Sequence, residues 1–284
     1  MPPFTNKATL SYNDTVIDSN TINGELLEVL SATKTAVMDT YVAKDDVTYV
    51  ISIINTGPLP FTGLTITDNL GRYMFGLIPL FPLTYTPLSV RYYVNGTLQS
   101  APGVVAGPPL VISNITVPAG GNATIIYEVK ANQYAPLGVG DSIENTATIS
   151  GGGLSSDVIA TETIYTEDSA SLAISKSICP LTVTENGQIT YTFIIENFGN
   201  TAALAGDNVV LTDTFNPILS ALTVDFNGAP WSELTNYTYD PLSGDFATIA
   251  GQITVPAATY TQDPIVGNWI VTPGVSVLTV TGTV

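Results

Sequence analysis

Apolar and polar residues alternate along the chain in short segments separated by turn residues, as in Asp46–Asn55 and Gln188–Asn197. A period of two sends successive side chains to opposite faces of a strand, so each segment is expected to be a strand with one face in a core. No stretch holds a helical period, and no apolar run is long enough to cross a bilayer. Val94-Asn95-Gly96 and Phe226-Asn227-Gly228 predict hairpin turns, because Asn-Gly tolerates positive φ.

The segments recur in order. Asp46-Val47-Thr48-Tyr49-Val50-Ile51-Ser52-Ile53-Ile54-Asn55 matches Gln188-Ile189-Thr190-Tyr191-Thr192-Phe193-Ile194-Ile195-Glu196-Asn197, with Gly57 and Gly199 following. Leu64–Asp68 matches Val209–Asp213, Ile115–Ala119 matches Ile253–Ala257, and Ala123–Asn132 matches Val275–Val284. The spacing between copies drifts, so insertions fall in loops; the largest is Tyr260 to Gly274. Seven or so short strands per repeat give the fold class: all-β, two tandem immunoglobulin-like antiparallel β-sandwiches. Tyr49 and Tyr191 occupy matching core positions, and Trp231 and Trp269 are expected to pack the loops of repeat two.

One segment is out of place. Phe4-Thr5-Asn6-Lys7-Ala8-Thr9-Leu10-Ser11 resembles Ile143-Glu144-Asn145-Thr146-Ala147-Thr148-Ile149-Ser150, the last strand of repeat one, and no copy follows repeat two. The expected domains are 1–30, a donor strand with a linker; 31–156, repeat one; 157–170, a linker; and 171–284, repeat two without its last strand. A sandwich lacking an edge strand exposes unpaired backbone and core. The surplus strand of one copy can fill that edge in another, and such a heterologous contact grows into an open filament. The plainer alternative is that 4–11 adds an extra strand to its own first domain.

Composition narrows the partners. The chain has 7 basic and 24 acidic residues, no histidine and a net charge of −17. Nucleic acid and anionic membranes are poor partners for such a surface, and the expected partner is the chain itself. Without histidine and with one cysteine, neither a usual acyl-transfer triad nor a zinc or haem pattern can be built, so no cofactor or metal is expected. Asp45-Asp46 could bind calcium but lies in no regular calcium loop. Met1-Pro2-Pro3-Phe4 lacks a signal-peptide pattern. Cys179 is the single thiol, expected either as a small buried residue or as an intermolecular cross-link.

Ser31-Ala32-Thr33-Lys34-Thr35, Val47-Thr48-Tyr49, Asn55-Thr56-Gly57, Thr67-Asp68-Asn69-Leu70 and Asn145-Thr146-Ala147-Thr148 resemble the conserved-repeat domain of bacterial surface proteins, the domain of unknown function eleven. Two such repeats in 29.8 kDa resemble the subunits of clostridial spore appendages. That resemblance implies synthesis in the mother cell and deposition on the spore surface, with an anchoring protein unidentified.

Surface domains of this architecture can form a spontaneous Lys–Asn isopeptide bond between first and last strands. Lysines are scarce here, yet Lys34 and Lys176 are equivalent, as are Asp68 and Asp213. The reaction needs a buried neutral amine, an asparagine carboxamide beside it, and a protonated carboxyl group to polarise the carbonyl. The assignment is Lys34 with Asn145 and Asp68 inside repeat one. In repeat two it is Lys176 with Asp213, and Asn6 of another subunit as electrophile. The alternatives are exposed strand lysines with turn aspartates, or a buried non-covalent Lys–Asp pair. The function expected is a structural filament subunit with no enzymatic activity beyond self-cross-linking; the alternative is a monomeric adhesin-like binding module.

Overall fold

The computed structural model describes residues 3–284. Met1 and Pro2, part of the expected domain 1–30 and of the N-terminus read for a signal, lie outside the described residues. The N-terminal strands are β1 (Pro3–Asn6), β2 (Thr9–Tyr12), β3 (Thr15–Asp18) and β4 (Ile22–Glu25). The first sandwich holds β5 (Leu30–Ala36), β6 (Thr40–Tyr41), β7 (Asp46–Asn55), β8 (Phe61–Asp68), β9 (Tyr73–Phe75), β10 (Ile78–Leu80) and β11 (Leu83–Tyr85). It continues through β12 (Arg91–Val94), β13 (Thr97–Leu98), β14 (Gly103–Val105), β15 (Leu110–Val117), β16 (Asn122–Ala131), β17 (Ser142–Gly151) and β18 (Val158–Thr166). The second holds β19 (Leu172–Cys179), β20 (Gln188–Asn197), β21 (Thr212–Thr214), β22 (Ser220–Phe226) and β23 (Ala229–Trp231). Then come β24 (Tyr237–Tyr239), β25 (Asp245–Thr248), β26 (Thr259–Gln262), β27 (Trp269–Thr272) and β28 (Gly274–Thr283).

In the first sandwich one sheet runs β13-β12-β16-β7-β5 and the other β14-β15-β8-β17-β18-β6. Their inward residues, among them Ile51, Ile66, Ile112, Ile125 and Ile149, form one core. The second sandwich repeats the first sheet as β19-β20-β28-β22-β23, but its other sheet is only β21-β25-β24. Its own core gathers Phe193, Phe215, Phe246, Ile253 and Leu278. The matched Asn-x-Gly motifs have a local reason. Asn55 Nδ2 donates to the carbonyls of Leu59 and Pro118, and Asn197 Nδ2 to those of Thr201 and Pro256. Each asparagine ties its strand end to the repeated Val-Pro-Ala turn. Both Asn-Gly turns form as expected, with Asn95, Gly96, Asn227 and Gly228 all at positive φ.

Two expectations about the linkers are corrected. Residues 157–170 are not a bare linker: Val158–Thr166 is β18, which pairs with β17 from Ser142↔Tyr165 to Ile149↔Val158. Its inward Ala160 and Ile164 are buried, and this burial holds the strand despite the polar residues around it. Nor does the N-terminal segment add a strand to its own first domain, or leave 12–30 as linker. β1 pairs β4 and β2 pairs β3, making one hairpin about Asn13 and Asp14, both at positive φ. All four strands are exposed apart from half-buried Gly24.

The large insertion of repeat two forms a separate ribbon, β26–β27, which reaches back to the first sandwich. There Trp269 N donates to Gln133 O at 2.8 Å and Gln262 Nε2 to the Tyr73 hydroxyl at 3.0 Å. Trp269 therefore contacts the neighbouring domain rather than the loops of repeat two, while Trp231 does pack there, stacked on Phe226 at 4.8 Å.

Candidate cross-linking sites

In β5 the inward positions are Leu30 and Lys34, so the strand's period aims a lysine at the core. Asp68 ends β8, on the facing sheet. Lys34 Nζ lies 2.6 Å from Asp68 Oδ2, and neither side chain has any solvent exposure. The Tyr127 hydroxyl donates to the same Oδ2, and Leu70 N donates to Oδ1 at 2.9 Å. The ammonium also lies 4.5 Å from the Tyr49 ring centroid. Removal from water brings the Lys34 pKa down from 10.5 to about 8, with the charge of Asp68 opposing the shift. Burial raises Tyr49 and Tyr127, so both phenols stay protonated.

Asn145 is buried in β17, the strand paired with β8. Its Oδ1 accepts from Gly71 N at 3.3 Å, whereas its Nδ2 and the Tyr49 hydroxyl have no hydrogen-bond partner. Asn145 adjoins the Tyr49 and Tyr127 phenols, the same rings that border Lys34. An unpaired buried amide nitrogen costs about 1–3 kcal/mol. Lys34 and Asp68 thus meet in the buried core, and Asn145 adjoins the two tyrosines that border the lysine. The two tyrosines are the part that sequence reading missed; the signal was their inward register on β7 and β16, where Tyr49 faces Tyr127.

The second site is half of the first. Lys176 Nζ contacts Asp213 Oδ2 and sits 4.5 Å from the Tyr191 ring centroid. Yet the two side chains are 40% and 18% exposed, against none in the first site. The cause is the missing neighbour. β8 lies between β15 and β17, while β21 pairs only with β25, and no residue of β19 is buried. By register Val280 faces Tyr191 where Tyr127 faces Tyr49, so this site has no phenol on its carboxylate. Asn6 is not brought to Lys176 within the chain; it faces Ile22 in the exposed hairpin. Cys179, at the end of β19, is exposed, which corrects the buried reading; the equivalent Val37, just past β5 in the closed first sandwich, is exposed as well.

No helix of the described residues is long and apolar enough to cross a membrane. No family model matches the chain, so its likeness to the conserved-repeat domain rests on the motifs quoted above, and no curated protein matches it. Among solved structures it is similar to the pilus backbone RrgB of Streptococcus pneumoniae, with 11% identity over 86% of this chain and a TM-score of 0.34. The chain spans about half, 55%, of the length of RrgB. It is also similar to a 35 kDa C-terminal fragment of the major pilin GBS80 of Streptococcus agalactiae, at 13% identity over 87% of this chain and 91% of that one, with a TM-score of 0.36. The major pilin subunit BcpA of Bacillus cereus shares 12% identity over 95% of this chain and 73% of its own, again with a TM-score of 0.36. Scores this low say nothing of what the chain does.

Proposed function

We propose that the chain is a structural subunit of an extracellular or spore-surface filament, joined head to tail by its N-terminal segment and locked by Lys–Asn isopeptide bonds. The observation that carries this is the contrast between the two sandwiches. The edge filled by β17 in the first is open in the second, and a homologue of β17 stands exposed at residues 4–11. Docked as β17 docks on β8, Ala8 would face Asp213 and Leu10 would face Leu211, since Ala147 faces Asp68 and Ile149 faces Ile66. Asn6 would then stand to Lys176 as Asn145 stands to Lys34. An adhesin-like monomer would leave that edge uncovered.

The bond-forming chemistry follows from the first pocket. A proton passes from Lys34 to Asp68 along their 2.6 Å contact, leaving a neutral amine and a carboxylic acid. The amine attacks Cγ of Asn145 while Asp68 donates to its carbonyl oxygen. Collapse returns a proton to Nδ2, which leaves as ammonia, and the new amide joins Cγ to Nζ. Overall an amine and a carboxamide become a secondary amide and ammonia, with no other reactant. The unpaired Nδ2 of Asn145 is the atom that departs, so its strain ends with the reaction.

Two measurements test this. Each bond removes about 17 Da, so the wild-type subunit should be lighter by that amount per bond in intact-mass spectra. Wild-type filaments boiled in SDS should give a ladder, and Asn6→Ala filaments a single monomer band; a ladder from Asn6→Ala refutes the intermolecular assignment. The pH dependence has a definite sign. Just below about 8 Lys34 holds its proton, and the amine–acid form carries that same proton, so the rate of ammonia loss should be flat there. Above about 8 Lys34 has lost the proton that it would pass to Asp68, no acid forms, and the rate should fall. Refolding the protein at different pH values and following its mass would check this; a rate that climbs through that range would exclude Asp68 as the acid.

A further inference from the structure

The edge of the first sandwich is filled by two strands. β17 pairs with β8, and β18 pairs with β17 and packs alongside β5 on the facing sheet, so together they close the seam between the sheets. Both contribute to the buried interior: Ile143, Ala147 and Ile149 from one, Ala160 and Ile164 from the other. Among the described residues the second sandwich has neither of them. Its seam lies open from β21 to β19, with Ile174 of β19 59% exposed beside it.

The N-terminal segment has the matching form. It is a closed hairpin whose return strands β3 and β4 stand where β18 stands beside β17: Leu10 faces Ile17 as Ile149 faces Val158, and Asn6 faces Ile22 as Asn145 faces Glu162. One face of the hairpin presents Phe4, Leu10, Ile17 and Ile22, all exposed. Volume is balanced across it. The Phe4 ring lies over Gly24, where a Cβ would meet its Cζ at 2.3 Å, in the place where Ile143 and Ile164 face each other. A large residue and none replace two of middle size, as strands built to present one joint surface would require. A lone exposed hairpin is only marginally stable in water, and its apolar face matches an apolar seam of the same geometry.

We infer that the unit exchanged between subunits is the whole two-stranded hairpin 3–25, which docks preformed, β1 and β2 along β21 and β3 and β4 against β19 of a second copy of this chain. This rests on the head-to-tail reading above. The return strand supplies half of the contact, and seam closure buries Lys176 and Asp213 as β18 helps to bury Lys34 and Asp68.

A disulfide clasp separates docking of the hairpin from threading of a single strand. Thr9 and Asp18 face each other across β2 and β3, with Thr9 Oγ1 and Asp18 Oδ1 3.1 Å apart, and Thr9 corresponds to the outward Thr148. The variant is Thr9→Cys with Asp18→Cys in a Cys179→Ser background, followed by electron microscopy and light scattering, oxidised and reduced. The expected result is filaments from both forms at equal yield. Ile17→Asp, outside the segment 4–11, should lower assembly at least about tenfold by placing a carboxylate in the apolar seam. Filaments from the reduced form alone, or full assembly of Ile17→Asp, would overturn the hairpin and leave single-strand donation standing. Filaments from a chain lacking residues 1–12 would instead overturn the head-to-tail reading itself.

Discussion

Removing residues 3–25 should abolish the proposed filaments and leave a monomer. The hairpin carries four large apolar side chains on the face that meets the seam, Phe4, Leu10, Ile17 and Ile22. Burying each contributes about 1.5–3 kcal/mol, or roughly 6–12 kcal/mol together. Association opposes this with about 4–15 kcal/mol of lost freedom, so the hydrogen bonds along β21 and the cross-link are needed to hold the joint, and nothing holds it once the hairpin is gone. Size-exclusion chromatography with light scattering should report monomer only, and micrographs no filaments. The truncated chain keeps an open seam, so a synthetic hairpin of residues 1–25 should bind it and should also cap and shorten wild-type filaments. Filaments that persist without residues 3–25 would end the head-to-tail account.

The second large effect is expected inside the first sandwich. Lys34→Met removes the nucleophile and leaves Asp68 buried with only the Tyr127 hydroxyl and Leu70 N as partners. Breaking one side of a buried pair costs about 3–5 kcal/mol, which is the difference expected between Lys34→Met and an unlinked chain that keeps the pair. The lost cross-link adds to this: it closes the long loop from residue 34 to residue 145, and a covalent link across about 100 residues restricts the unfolded chain by up to roughly 4.7 kcal/mol. Together these approach the whole stability of a typical domain, about 5–15 kcal/mol. Asn145→Ala loses the link and the 3.3 Å contact from Gly71 N, which keeps Asn69 Oδ1 as an acceptor, and it leaves the Lys34–Asp68 pair intact, so it should be clearly less damaging. Urea denaturation of both variants gives the order, and equal midpoints for wild type and Asn145→Ala would mean that no link forms.

Much of this was legible because two signals are local. Strand alternation with Asn-Gly turns marks the strands, and scarcity marks the chemistry, since Lys34 and Lys176 are two of only 7 basic residues. The return strands were not legible. Val158–Thr166 sits among Gly, Ser and acidic residues, and its strand character comes from β17 on one side and β5 on the other, which no local pattern records. The same holds for β3 and β4, whose pairing depends on the turn at Asn13 and Asp14. Tyr127 carried no local signal of its role, because Asp68, to which it donates, lies on the facing sheet. Trp269 read as local packing and contacts the other domain, since the ribbon that bears it leaves its own sandwich.

That ribbon also sets how a filament would bend. β26–β27 braces the second sandwich against the first through Gln133 and Tyr73 of the same chain. In the first sandwich the corresponding stretch is the tight turn between Val117 and Asn122, too short to reach a preceding domain. The spacers are nearly equal, four residues from β4 to β5 (26–29) and five from β18 to β19 (167–171), so domains would follow one another at near-constant spacing. Every second joint would carry a brace and every other joint would not. Such a fibre is a chain of rigid two-domain rods on softer hinges, with a persistence length governed by the joints between subunits and a flexural period of one subunit.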